Sequence, residues 1–210
     1  MRLYSYWRSS ASYRVRIALN LKGIPFETVA TNLRNGSNRT LDFLGKNPQG
    51  LVPVLEEGDI RLTQSLAIIE CLEDLKPEPA LLPANPIERA RVRALAQLIA
   101  CEIHPLNNVR VLNHLRARMG LNDGDVNSWY RHWIAEGLTA LETQLKDYAG
   151  RYAFGDRVTL ADVCLVPQLY NARRYNCDLK PYPTTLRVEE ACLALAAFDD
   201  AQPERQPDAV

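Results

Sequence analysis

The sequence predicts two domains, an α/β unit over residues 1–80 followed by an all-helical unit over residues 87–210. Three observations carry that reading. A strand–helix–strand pattern, a hairpin signal and a second helix fill the first 76 residues. Four prolines, Pro77, Pro79, Pro83 and Pro86, then break the pattern within ten residues. Beyond Ile87 the strand signal disappears and helical spacing takes over. With 47% apolar residues in a chain of 210, there is ample material for a core.

Leu3 to Trp7 is a short β-prone run, and Ser12 to Lys22 has helical character. On the helical wheel Arg16 and Asn20 share a polar strip, while Val15, Ile17, Ala18, Leu19 and Leu21 fill the rest, so the helix is expected to be largely buried. Gly23 stops it, and a strand over Phe26 to Ala30 completes a β-α-β unit with a crossover long enough for parallel pairing. After a polar segment, Glu57-Gly58-Asp59 between two short apolar runs signals a hairpin. The helix that follows has Glu70, Glu73 and Asp74 as its only polar strip. In the second domain, Trp129, Trp133, Leu138, Leu141 and Leu145 mark a helix. Pro105 is expected to kink a helix running from about Glu88 to Arg118. In GDRVTLADV, Thr159 and Asp162 form a capping box, with Val158 and Val163 at the staple positions. The polar, proline-containing tail beyond Asp199 is predicted to fray.

The 25 basic and 25 acidic side chains cancel, which leaves no general attraction to nucleic acid or an anionic membrane. An acidic ligand must therefore meet local positive charge. No apolar run is long enough to span a bilayer, and Met1 to Trp7 lacks the pattern of a signal peptide, so a cytoplasmic location is expected. The five cysteines are widely spaced, with no CxxC pair and no Cys/His cluster at zinc-ligand spacing, so free thiols and no bound metal are expected. Three histidines, His104, His114 and His132, are available to a serine nucleophile, but no GxSxG elbow supports a hydrolase. There is no glycine-rich phosphate loop.

Ser9, Ser10 and Ser12 stand between the first strand and the first helix, where helix-terminal amides can receive an anion or a serine can simply cap. Gln64-Ser65 repeats that arrangement at a second helix start, and Val52-Pro53 lies at a strand edge. Three stretches in order, SYWRSSASYRVRIALNLKGIPFE, NPQGLVPVL and LTQSLAIIECL, resemble the zeta class of glutathione transferases. IHPLNNVRVL, GDRVTLADVCLVPQ and NARRYNCDLKPYPT extend the resemblance over nearly the whole chain, towards the maleylacetoacetate isomerases of that class. The resemblance implies the glutathione transferase fold, a thioredoxin-like N-terminal domain and an all-helical C-terminal one, working as a homodimer. The family's serine-serine-cysteine core reads Ser9-Ser10-Ala11 here, so no protein thiol stands at that position and the sulfur of glutathione is left as the nucleophile.

By the same resemblance Ser9 hydrogen-bonds the glutathione sulfur, with Ser10 as helper or alternative donor. Val52, before a cis Pro53, meets the cysteinyl part. Gln64 and Ser65 hold the γ-glutamyl carboxylate, and Asn38 meets the glycyl end. Ala11, His104, Asn108, Val109 and Arg110 complete the glutathione contacts. Arg8, Arg110 and Arg174 are the arginines for the carboxylates of a second substrate, and Arg173 is read as a solvated neighbour. The implied reaction is cis–trans isomerisation of maleylacetoacetate to fumarylacetoacetate with glutathione as cofactor. Maleylpyruvate isomerisation, a zeta-class transferase or dehalogenase activity, and a non-catalytic glutathione-binding module stay open at this point.

Overall fold

The computed structural model describes all 210 residues, and the chain divides into two compact units. The first comprises Met1–Leu81 with Leu193–Val210, the second Leu82–Cys192.

In the first unit β1 (Arg2–Ser5), β2 (Glu27–Ala30), β3 (Val54–Glu57) and β4 (Ile60–Thr63) form one sheet in the order β2-β1-β3-β4. β1 and β2 are parallel and joined by α1 (Ser10–Leu21), as the crossover length predicts; β3 runs antiparallel to both β1 and β4. Gly58, at φ 57°, makes the two-residue turn between β3 and β4. Gly23, also at positive φ, ends α1. α2 (Leu41–Lys46) and α3 (Ser65–Leu75) complete this part of the unit. Leu3, Val15, Ile17, Leu19, Val54, Ile68 and Leu72 are fully buried. Each such side chain contributes roughly 1.5–3 kcal/mol.

The second unit is helical: α4 (Pro86–Gln97), α5 (Val109–Met119), α6 (Asp123–Tyr148), α7 (Leu160–Arg174) and α8 (Pro183–Leu193). The single kinked helix expected across Pro105 is instead two helices. A π-helical turn at Leu98–Ile103 and a 3-10 turn at His104–Asn107 separate α4 from α5. Proline lacks the N–H and crowds the carbonyl four residues back, so the ladder widens before it, and Asn108 then caps a new helix. Along α6 the buried stripe is Val126, Tyr130, Ile134, Leu138, Leu141 and Leu145, while Trp129 and Trp133 are only half-buried beside it. Gly137 lets α6 approach the π-helical turn, because a Cβ there would lie 2.2 Å from Ile103. None of the five cysteines forms a disulfide. Cys164 and Cys192 are buried, and Cys101 is exposed.

The largest departure from expectation is the C-terminal segment, which is ordered and belongs to the first unit. It forms α9 (Ala196–Asp199) and a 3-10 turn at Pro203–Arg205, with Ala201 and Pro203 buried. The polar strip of α1 is what receives it. Asn20 Nδ2 donates to the Ala197 carbonyl at 3.1 Å and Arg16 Nε to the Ala201 carbonyl at 3.1 Å. The polar strip of a largely buried helix is thus covered by a segment predicted to fray. No helix of the chain is long and apolar enough to cross a membrane.

Candidate active site

The register of the sheet gathers three separate segments at one end. Tyr4 is paired with Val54, and Val54 with Thr63. The chain leaving β1 therefore lies beside the residues entering β3, and these lie beside the residues leaving β4. The first segment carries Ser9, Ser10 and Ala11, the second Val52 and Pro53, and the third Gln64 and Ser65. β2 ends at the same side, where the Thr31 N–H donates to the Ser5 carbonyl at 2.7 Å.

Both helices that begin here direct their N-termini to this end. Ser9 is the N-cap of α1, and its Oγ accepts the Ser12 N–H at 3.2 Å. Ser10 is buried in the first helical turn. α3 starts at Ser65 with no side-chain cap, and neither helix has an acidic residue in its first turn. Two uncompensated positive helix ends favour an anion at this edge of the sheet. Gln64, the residue before α3, sits at φ 69° and ψ 114°, a region that side chains other than glycine rarely occupy. Backbone in that region is costly and persists only where the surrounding structure holds it. The Val52–Pro53 peptide is cis, as the resemblance implies.

Two residues that the sequence reading did not single out also bond at this edge of the sheet. Arg14 is buried on α1 and its Nη1 donates to Ser65 Oγ at 3.4 Å, placing a cation beneath the start of α3. Gln49 Oε1 accepts from Gln64 Nε2 at 2.9 Å, so the two amides fix each other. The signal for Gln49 was its place in NPQGLVPVL; for Arg14 it was a second arginine in an otherwise apolar helix. Asn38 is buried, and its Nδ2 donates to the Gly50 carbonyl at 2.6 Å, under the loop that carries Gln49. Gly50 has φ 63°, and a Cβ there would lie 2.9 Å from the Asn38 carbonyl oxygen. Arg8 lies over the Trp7 ring, 3.9 Å from its centroid.

In the second unit His104 opens the 3-10 turn. The Asn108 Oδ1 accepts the Arg110 N–H at 3.1 Å, and Val109 and Arg110 are exposed in the first turn of α5. Arg174 is exposed at the end of α7, where Nη1 donates to Asn171 Oδ1 at 3.3 Å and the guanidinium stands 5.8 Å from the Tyr175 ring. Tyr175 stacks on Tyr130 at 3.5 Å, and burial pushes the Tyr130 hydroxyl pKa up. Arg173 is exposed, as read, but it is also paired. Both its terminal nitrogens bond the buried Glu189 carboxylate at 2.5 Å, and this fork raises its pKa.

A four-stranded mixed sheet with a cis-proline edge between two helix N-termini, followed by an all-helical unit, defines a glutathione transferase fold. Residues 1–74 match the glutathione S-transferase N-terminal domain family and residues 134–191 the C-terminal domain family. A probable maleylacetoacetate isomerase of Vibrio cholerae is 50% identical over 99% of this chain and 97% of its own. A solved maleylpyruvate isomerase, described as a bacterial zeta-class glutathione S-transferase, superposes with a TM-score of 0.98 at 49% identity over 100% of both chains. A maleylacetoacetate isomerase of Methylobacterium extorquens, solved with malonate and glutathione bound, gives 0.97 at 45% identity over 100% of both chains. The chain belongs to the glutathione S-transferase family, in its zeta class.

Proposed function

We propose that the chain is a glutathione-dependent cis–trans isomerase that converts maleylacetoacetate to fumarylacetoacetate in tyrosine and phenylalanine breakdown. One observation carries the reading most: a donor-rich end of the sheet, with Ser9 and Ser10 on one helix N-terminus and Gln64 and Ser65 on another, in a chain about 50% identical to such isomerases along its length. Hydroxyls, amides and two positive helix ends without first-turn acids suit a peptide that carries carboxylates and an ionisable thiol. When bound, glutathione supplies a thiolate that adds to the cis double bond, permits rotation about the resulting single bond and is eliminated to leave the trans acid.

The residues of the chain prepare that chemistry. Ser9 donates its hydroxyl to the sulfur, with Ser10 beside it, and together with the N-terminus of α1 this favours the ionised thiol over its free value near 8.5. Gln64 and Ser65 hold the γ-glutamyl carboxylate, with Arg14 adding charge from below. Val52 meets the cysteinyl backbone, and Asn38 acts by holding the Gly50 loop. Arg174 and Arg8 grip the substrate carboxylates and offset negative charge that develops during addition; His104, Asn108, Val109 and Arg110 are further contacts. The enzyme is read as a homodimer on family resemblance and as cytoplasmic on its sequence pattern, and a monomeric mass in solution would remove the dimer.

Arg174→Ala is expected to raise KM for the acid about 10- to 100-fold, the loss of a charge-assisted contact, with a smaller change in kcat. Steady-state kinetics on maleylacetone checks this, and an unchanged KM excludes Arg174 as the carboxylate grip. The identity of the acid is tested by kcat/KM for maleylacetone and maleylpyruvate measured side by side. The reading expects maleylacetone to be preferred. A clear preference for maleylpyruvate would overturn the assignment of the natural substrate.

A further inference from the structure

The β1–α1 loop that carries Arg8 and Ser9 is held by residues from the far end of the chain. Trp7, two positions before Ser9, is fixed on both sides of its backbone. Its N–H donates to Asp208 Oδ2 at 3.0 Å, and its carbonyl accepts Arg16 Nη2 at 3.1 Å. Arg16, 1% exposed, also donates to Ser5 Oγ and to the Ala201 carbonyl, each at 3.1 Å, so one guanidinium ties together β1, the loop and the C-terminal segment. Ala209 packs against the cluster of Tyr4, Tyr6, Trp7, Phe43, Val52 and Val54. That cluster underlies both the loop and the cis-proline edge. The Ser9 N–H, in turn, donates to the Tyr6 carbonyl at 2.8 Å.

We infer that the C-terminal segment is a strap that sets the position of Ser9, with Asp208 as its positioning residue. The assignment rests on the role given to Ser9 above. A surface tail would have no reason to place a carboxylate on a main-chain N–H within the active-site loop, or to seat Ala209 against the cluster that contains Trp7 and Val52. Asp208 touches neither substrate nor sulfur. It acts by removing the freedom of Trp7, so that the Ser9 hydroxyl and the first amides of α1 keep one orientation. Asp208 Oδ1 is buried without a partner. An asparagine can therefore keep the bond to Trp7 through its carbonyl.

The test is the ultraviolet titration of the thiolate of bound glutathione, together with kcat, for the full chain and four variants. Asp208→Ala is expected to raise the apparent thiol pKa and to lower kcat about five- to tenfold, the factor carried by one hydrogen bond, with KM for the acid little changed. Asp208→Asn restores most of both. Asn20→Ala removes the strap contact to Ala197 far from the loop and leaves the titration at the wild-type position. A wild-type titration and kcat for Asp208→Ala would overturn the strap, as would an equal shift for Asn20→Ala, which would mean general loosening. Ser9→Ala, run in parallel, separates the two readings: an unmoved pKa there overturns the role of Ser9, whereas an unmoved pKa in Asp208→Ala alone overturns only the strap.

Discussion

Ser9→Ala is expected to lower kcat for glutathione-dependent isomerisation by about 10²-fold, the usual effect of removing one preorganised donor from a site of developing charge. The affinity for glutathione is expected to change far less. The peptide is held at several points, Gln64, Ser65 and Val52 among them, and the serine hydroxyl contributes mainly to the ionised sulfur. Ser9 also caps α1 through the Ser12 N–H, so its loss removes a cap of about 1 kcal/mol as well. The thiol titration separates the two effects, because a weaker cap alone leaves a folded protein with an unshifted thiol. Ser10 stands one residue into the helix and is buried. If Ser10 is the donor instead, Ser10→Ala produces the large loss and Ser9→Ala the small one.

The largest effect on stability is expected at Asp162. Its carboxylate accepts the Ala153 N–H at 2.7 Å, the Thr159 N–H at 2.7 Å and the Thr159 hydroxyl at 3.0 Å. Asp162→Ala leaves two buried amides without an acceptor and removes the Asp162 half of the capping box of α7, a destabilisation of about 3–5 kcal/mol. Denaturant unfolding measures it, and a loss below about 1 kcal/mol would show that the box is not what holds the start of α7. Burial raises the Asp162 pKa to about 6 despite these donors, against an ordinary value of 3.8. A carboxyl whose pKa is raised by folding binds its proton more tightly in the folded chain. Its contribution to stability is complete below the unfolded value and is lost as pH rises through about 6. Relative to Asp162→Asn, the wild type should gain about 1 kcal/mol on going from pH 7 to pH 5. Glu142 behaves in the opposite way: burial opposes its charge too, but donors from Thr185 and Thr184 outweigh it and hold its pKa below the ordinary carboxylate range.

Features set by neighbouring residues were legible in the sequence. The β-α-β crossover, the Gly58 turn, the Gly23 stop and the Thr159–Asp162 box each depend on a few adjacent positions, and each forms. The serines at the start of α1 and Gln64-Ser65 at the start of α3 were legible as helix starts. Their convergence depends on the strand order, which needs the pairing of β1 with β3 across some fifty residues. What was not legible has a common cause, namely a polar group whose partner lies far along the chain. Arg16 and Asn20 read as a polar strip, and only the fold shows that Ala197 and Ala201 supply their acceptors. Arg173 is exposed as the sequence suggests, but its partner Glu189 comes from α8, sixteen residues on. The proline-rich tail looks frayed because its stability comes from α1 and Trp7 rather than from its own sequence. Pro105 marked a disturbance correctly, but whether a helix bends or stops there depends on Asn108 supplying a new cap.

The most direct test of the account is the initial rate of cis-to-trans isomerisation of maleylacetone with and without glutathione. The account predicts turnover that depends strictly on glutathione. An equal rate without glutathione, or no turnover by a folded protein that binds glutathione, would contradict it.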